Sequence, residues 1–184
     1  VVIDAGASIA IQNDAPVNNQ TTLSAYTVYE DTLNTAGAVG NPDGGAQPTT
    51  VTILASDLLS LVDAGADAPA TLSFNSAIDG TDTGLTQNGV AIEWNVNGGQ
   101  LEGVVSGTNT VVFTLAPDVN GDYSFTLLDN IDHDSDANLA SGEGEGALET
   151  LSLANVFVAT DSDGDIVVID AGASIAIQND APVN

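Results

Sequence analysis

The alternation of apolar and polar residues along this chain predicts an all-β fold, an Ig-like β-sandwich. Short runs in which every second residue is apolar are typical of strands with one buried face. Clusters of Gly, Asn and Asp separate these runs, as in Asn97-Gly98-Gly99 and Asn120-Gly121, and such clusters mark turns. The chain has 184 residues, of which 43% are hydrophobic, enough for one domain with a substantial core. Several short strands joined by such turns indicate a sandwich.

Eight runs have the strand pattern. The clearest is Val90–Val96, where alternate residues point inward and Trp94 is predicted to be a core residue. One short helix is predicted over Ser56–Val62, with Ser56 as its N-cap. The other predicted strands, in chain order, are Val1–Gln12, Thr50–Leu54, Thr71–Phe74, Thr110–Leu115, Tyr123–Leu127, Leu151–Val158 and Ile166–Ile177.

The chain begins and ends with the same 18 residues, VVIDAGASIAIQNDAPVN, at positions 1–18 and 167–184. The second copy starts 166 residues after the first, which indicates about one repeat of a tandem array. Large modules of this kind are more typical of spacers or scaffolds than of enzymes. We predict that residues 1–16 are the closing strand and linker of a preceding repeat. Residues 17–184 then form one repeat that ends in the next linker.

The charge of the chain limits its partners. It contains 26 Asp and Glu residues and no Lys or Arg, for a net charge of −26. Repulsion excludes nucleic acid and anionic membrane surfaces, so we expect no direct membrane contact. Two alternatives would accommodate this charge: screening by salt, as in halophilic proteins, or binding of divalent cations at clusters of acids. The clusters described next favour binding. Without Cys, neither a disulfide nor a zinc–thiolate site can form.

The strongest candidate for a metal-binding loop is Asp161-Ser162-Asp163-Gly164-Asp165. Its three carboxylates, on Asp161, Asp163 and Asp165, alternate around a glycine, so a tight loop can direct several oxygens at one hard cation. Calcium suits such a loop because it accepts six to eight oxygen ligands in loose geometry. The spacing differs from that of the EF-hand. The alternative is an acidic turn without metal.

A second acidic cluster runs from Asp129 to Asp136. Asp132, Asp134 and Asp136 have the spacing of a second calcium loop, but a solvated acidic loop explains them equally well. His133 is the one histidine of the chain, and we interpret it as a loop residue bonded to neighbouring carboxylates.

The duplicated segment contains the dipeptides Asn13-Asp14 and Asn179-Asp180, which we call the first and second joint dipeptides. Each follows a predicted strand and precedes Ala-Pro, and proline ends a strand. We expect calcium to be held there, together with the early acidic pair Glu30-Asp31, so that two repeats are locked at a fixed angle. The segment NDAPV is similar to the calcium-binding linkers of cadherins, although the cadherin strand pattern is not reproduced.

Taken together, the motifs resemble the extender repeats of giant type I-secreted bacterial adhesins of the repeats-in-toxin group. The resemblance covers most of the 166-residue repeat and rests on the order and spacing of several short motifs. They are Glu30-Asp31, Asp79-Gly80, Asn88-Gly89-Val90, Leu101-Glu102-Gly103, Val112–His133, Ala159–Asp165 and the NDAP linker.

The resemblance implies an Ig-like sandwich with calcium at or near the linkers. It further implies an extracellular spacer at the bacterial cell surface, supporting adhesion and biofilm formation, whose partners are neighbouring repeats of a fibrous array of monomeric modules. Two alternatives stay open: a module that binds carbohydrate or ice, and a halophilic β-domain without specific calcium sites. An enzyme is not expected, because the sequence has no nucleophile elbow, metal-site His set or phosphate loop.

Overall fold

The computed structural model describes residues 13–19, 21–34, 47–133 and 148–180. The predicted strand Val1–Gln12 lies outside these residues. Within them the chain forms fourteen short strands, labelled β1 to β14, and one α-helix, α1, at Ala55–Leu59. The all-β prediction is therefore confirmed. None of the helices in the described part has the length and apolar character needed to cross a membrane.

The largest sheet has six antiparallel strands and supplies one side of the core. Buried residues alternate with partly exposed ones most regularly in β10, where Tyr123, Phe125 and Leu127 are buried. In spatial order the strands are β3 (Thr50–Ile53), β10 (Tyr123–Leu127), β9 (Val111–Pro117), β8 (Gln100–Val105), β7 (Val90–Asn97) and β6 (Asp82–Gln87).

Three smaller sheets complete the fold. In the first, β14 (Ser174–Gln178) lies between β11 (Leu148–Ser152) and β2 (Tyr26–Tyr29), antiparallel to β11 and parallel to β2. In the second, β12 (Phe157–Thr160) lies between β13 (Ile166–Val168) and β5 (Thr71–Phe74). The third consists of β1 (Val17–Asn18) and β4 (Val62–Asp63).

Aromatic side chains connect the sheets face to face. Phe74 of β5 and Phe157 of β12 pack against Tyr123 of β10, with ring centroids 5.2 and 4.7 Å apart. Such pairs contribute about 0.5–1.5 kcal/mol beyond the burial of their area. One continuous core includes residues of the large sheet and of all three smaller sheets, which makes the fold sandwich-like.

Within the large sheet, Phe113 of β9 packs between Trp94 and Phe125 at centroid distances of 5.3 Å. Its cross-strand partner is Gly103. The ring lies so close that a Cβ atom at position 103 would overlap it. Trp94 is 3% exposed, which confirms the prediction that it belongs to the core.

The structure corrects several predicted elements. The run Leu151–Val158 is not one strand, because Asn155 has a positive φ of 64° and breaks it into β11 and β12. Ile166–Ile177 is likewise divided at Gly172, with a φ of 97°, into β13 and β14. The sequence pattern missed β2, β6, β8 and the two-residue strands β1 and β4, the last of which begins at Val62, predicted as the end of the helix. In β6 the register with β7 shifts between Asp82 and Thr86, so a strict alternation is lost.

The predicted helix exists but is shorter than expected and begins earlier. Its N-cap residue is Leu54, without a side-chain cap, and Ser56 lies inside the helix. The backbone N–H of Ala55 instead donates to the Asp122 carboxylate at 2.8 Å. The predicted cap was wrong because a residue distant in sequence satisfies this N–H.

Candidate metal centre

Three carboxylates converge at one end of the domain. Asp161 directly follows β12, Asp163 lies in the turn between β12 and β13, and Asp67 ends a 3-10 turn at Gly65–Asp67. One ligand oxygen of each lies within 4.8 Å of the others. Calcium–oxygen distances are 2.3–2.6 Å, so oxygens on opposite sides of one ion are about 5 Å apart. The three carboxylates can therefore reach one calcium ion.

The loop at residues 161–165, called the Asp161 loop, is closed by its own hydrogen bonds. Asp161 Oδ1 accepts from the backbone N–H groups of Gly164 at 3.0 Å and Asp165 at 2.8 Å. The Asp161 N–H donates to the Asp165 carbonyl at 3.0 Å. The Ser162 N–H donates to the Asp67 carbonyl at 2.9 Å, which ties this loop to residues 63–67, the Asp67 loop.

The second oxygen of Asp161 is the feature that points to a cation. Asp161 is 6% exposed, and its Oδ2 has no hydrogen-bond partner among the described residues. Its neighbour is the Asp163 carboxyl, which can donate only when it is protonated. A buried oxygen without a donor is costly, at about 1–3 kcal/mol. A cation would satisfy it, so the donor set fits a hard divalent ion such as Ca²⁺.

The close approach of the Asp161 and Asp163 carboxyls also shifts their pKa values. Burial raises the pKa of Asp161, but hydrogen bonds from the Asp163 carboxyl and from the Asp165 and Gly164 N–H groups outweigh it and lower that pKa. The hydrogen bond to Asp161, desolvation by neighbouring groups and the negative charges of Asp161, Asp165 and Asp67 raise the pKa of Asp163. Without a cation, the two carboxyls compete to remain ionised.

The first joint dipeptide lies against both acidic loops. The Asn13 side-chain amide donates to the Asp165 carboxylate, and Asp14 Oδ2 accepts from the Ala66 N–H at 2.8 Å. Further along, Val17 pairs with Asp63. The joint therefore rests on the Asp161 loop and on the Asp67 loop at once.

Gly65 permits this close approach. Its φ is +60°, a conformation that favours glycine, and a Cβ atom at this position would overlap the Asp14 carboxylate. Because Asp14 also bonds the next residue, Ala66, the Asp67 loop is shaped around the joint.

Residues 11–172 match the family described as Domain of unknown function (DUF5801). The chain belongs to this family. No curated protein and no solved structure matches it. The matched range of the DUF5801 domain includes the first joint dipeptide and both acidic loops, and it ends before the second joint dipeptide.

The structure brings together some predicted ligands of the DUF5801 domain and adds another. Asp161 and Asp163 converge, whereas Asp165 lies outside the converging group and binds Asn13. Asp67 was not predicted. It reaches the site because β5, which follows it, pairs with β12, with Thr71 opposite Thr160. No local spacing in the sequence signals this contact.

The second joint dipeptide of the DUF5801 domain lies beside Glu30 and Asp31. The Glu30 N–H donates to the Gln178 carbonyl at 3.1 Å, one residue before Asn179. Glu30, Asp31 and Asn179 are buried, with exposed fractions of 4%, 4% and 9%. Glu30 Oε1 also accepts from the Ile131 N–H at 2.8 Å. The acidic pair and the dipeptide therefore meet where the chain leaves the repeat.

His133 lies outside the strands but is buried, with 9% of its surface exposed. Its Nε2 lies 3.4 Å from Glu30 Oε1, and both side chains are buried. The prediction that His133 lies near a carboxylate is confirmed, but that carboxylate is distant in sequence and neither ring nitrogen has a hydrogen-bond partner among the described residues.

Asp132 has a structural role in the DUF5801 domain. Its carboxylate accepts from the N–H groups of Asn88 at 2.8 Å and Gly89 at 2.7 Å and from the Thr86 hydroxyl at 2.7 Å. Burial raises the pKa of Asp132, but these hydrogen bonds outweigh it and lower the pKa. Asp134 and Asp136 lie outside the described residues, so a calcium loop at 132–136 stays a prediction.

Proposed function

We propose that this domain is a calcium-dependent structural extender of a tandem-repeat bacterial surface adhesin. In this proposal Ca²⁺ bound by Asp67, Asp161 and Asp163 fixes each repeat to the one before it. The observation that carries the proposal is the position of the first joint dipeptide, because Asn13 and Asp14 bond to the same two loops that hold the three carboxylates.

The composition of the chain supports a cation from solvent. With 26 acidic residues and no Lys or Arg, no basic side chain other than His133 could neutralise the cluster. Extracellular calcium modules bind with dissociation constants of about 10⁻⁴–10⁻³ M. At millimolar calcium, a site of about 10⁻⁴ M would add about 1.4 kcal/mol of stability through mass action.

The exact duplication extends this reasoning to an array. In consecutive repeats the second joint dipeptide of one repeat would be the first joint dipeptide of the next. Its N-terminal side then lies beside Glu30 and Asp31 of the first repeat, and its own side chains contact the acidic loops of the following repeat. A cation there would make the joint rigid and the array a rod.

The proposal gives the domain no catalytic role. Its partners are neighbouring repeats of the same chain, its place is the outer bacterial surface, and it serves adhesion and biofilm formation as a spacer. The halophilic alternative predicts that salt alone stabilises the domain, whereas specific sites require calcium at moderate ionic strength.

The test uses a protein of two consecutive repeats connected by the native joint. Small-angle X-ray scattering in millimolar calcium should show a longer and more uniform particle than in chelator at equal ionic strength. Identical profiles in the two buffers would contradict the proposal. If concentrated NaCl reproduces the effect of calcium, the halophilic alternative is correct.

A matched pair of variants localises the effect to the joint. Asp161→Asn in the second repeat alters the loops at the junction and should give the chelator profile even in calcium. The same substitution in the first repeat alters loops that face no preceding repeat, and it should leave the particle extended. Equal effects of the two variants would mean that calcium acts within repeats and not between them.

A further inference from the structure

A cleft of about 430 Å³ lies over β7 and β8, away from the joint. This volume is within the range of small-ligand sites. Glu93, Asn95 and Asn97 of β7 line it, and they alternate with the inward-facing Ile92 and Trp94. The cleft therefore opens on the outer face of the six-stranded sheet.

Glu102 of β8 is the most buried carboxylate of the cleft, with 8% exposed. Its Oε1 accepts from the side-chain amides of Asn97 at 2.9 Å and Gln100 at 2.8 Å, and its Oε2 accepts from Asn95 at 3.1 Å. Burial raises its pKa, but these three hydrogen bonds outweigh it and lower the pKa. Glu102 is therefore ionised at neutral pH and held in one orientation.

The remaining polar atoms of the cleft are mostly acceptors. Asn95 and Asn97 give their N–H groups to Glu102, so their carbonyl oxygens stay available. Glu93 accepts from the Ser106 hydroxyl at 2.8 Å, and Asp79 also lines the cleft. A ligand that fits this lining must supply hydrogen-bond donors.

The chemistry of the cleft excludes other classes of ligand. Anions have no basic residue to bind, because the chain lacks Lys and Arg. A single metal ion is also unsuited, since in the described part of the chain only the carboxylates at the joint converge on one point. Three carboxylates, Asp79, Glu93 and Glu102, favour a positively charged organic ligand that carries several donors.

We infer that this cleft binds an amine-bearing sugar, whose ammonium group and hydroxyls donate to Glu93, Glu102 and the two asparagine carbonyls. The site is independent of the joint, because neither the joint dipeptides nor the acidic loops line it. A domain that acts as a spacer would then also contact glycans along its length.

The experiment measures binding by isothermal titration calorimetry, because Trp94 faces the core at 3% exposure and its emission would not report directly on a ligand at the outer face. The full chain in millimolar calcium and physiological salt is titrated with a short glucosamine oligomer. We expect a saturable heat of binding. An N-acetylglucosamine oligomer of equal length lacks the ammonium groups and should bind about tenfold more weakly.

Variants distinguish the cleft from general attraction to a charged surface. Glu93→Gln and Glu102→Gln should each weaken binding about tenfold, whereas Asp170→Asn, an exposed site with the same change of charge, should not. Circular dichroism checks folding, and Glu93→Gln remains informative if Glu102→Gln unfolds. Equal binding by all three variants, or equal binding of spermidine and the glucosamine oligomer, would overturn the inference. So would an equal affinity for the N-acetylated oligomer.

Discussion

The two joint dipeptides have the same sequence and different surroundings. Asn13 and Asp14 are exposed and bond to the Asp161 and Asp67 loops. Asn179 is 9% exposed and follows the strand whose last carbonyl accepts from Glu30. The first copy therefore lies where the chain enters the described domain, and the second copy lies where it leaves.

In the proposed array, the two copies would form the two halves of one junction. A joint residue that is buried against the preceding repeat would gain further contacts from the following repeat. The stability of the joint then depends on both repeats, and calcium would act mainly at the entering side, where the three carboxylates converge.

The first prediction concerns calcium binding at the entering side, where the three carboxylates converge. For the single repeat, millimolar calcium should raise Tm above its value in chelator by about 3–6 °C, from about 1.4 kcal/mol at one site with a dissociation constant of about 10⁻⁴ M. Asp161→Asn should remove most of this increase because it replaces the buried ligand. Differential scanning calorimetry in both buffers measures it. Asp170→Asn is the control, and an undiminished response of Asp161→Asn would rule out this ligand.

Gly65→Ala tests the close contact of the first joint dipeptide. The substitution should lower the free energy of unfolding by about 2–3 kcal/mol, because it adds a positive-φ penalty to an overlap with Asp14. Chemical denaturation measures the loss.

Gly98→Ala provides the matched control. Gly98 has a φ of +59°, and a Cβ atom there would meet nothing within 4 Å. Gly98→Ala should lower the free energy of unfolding only through the positive-φ penalty, by about 1 kcal/mol. If the two variants lose equal stability, Asp14 does not contribute through this contact.

Paired alanine substitutions compare the two dipeptides directly. Asn13→Ala with Asp14→Ala should reduce the calcium-dependent part of stability by about 1 kcal/mol, since these residues link the acidic loops to the joint. Asn179→Ala with Asp180→Ala should lower stability equally in calcium and in chelator. Thermal melts of both double variants in both buffers test this. If the calcium-dependent part of stability falls more in the Asn179→Ala, Asp180→Ala variant, calcium acts at the second joint dipeptide and our assignment is wrong.

The smallest effect concerns Asp132, which contacts neither dipeptide among its described hydrogen bonds. Its folded pKa is lowered, so its stabilisation is present above the unfolded pKa of about 3.9 and is lost as the pH falls through the folded pKa. Asp132→Asn should lose about 0.5–1.5 kcal/mol at neutral pH. Urea denaturation across pH should show the difference shrinking in acid and unchanged by calcium. A calcium-dependent difference would instead favour a metal site at Asp132.

The alternation of apolar and polar residues predicted the exact bounds of two strands. Thr71–Phe74 and Tyr123–Leu127 form strands with the predicted bounds. Leu151–Val158 was predicted as one strand because a positive φ at Asn155 leaves no trace in an apolar alternation. The Asp161 loop was recognised from its spacing, but the departure of Asp165 from the cluster was not, since its carboxylate binds a residue 152 positions away.

The sequence by itself determined the all-β class, the lack of Lys and Arg side chains that could pair with the carboxylates, the 166-residue spacing of the duplicated segment and two of the three converging carboxylates. These follow from periodicity, composition and spacing, which act over a few residues. Only the tertiary structure decided that Asp67 completes the cluster and that the first joint dipeptide rests on both loops. Those contacts depend on the pairing of β5 with β12 and of β1 with β4, which brings together segments far apart in the chain.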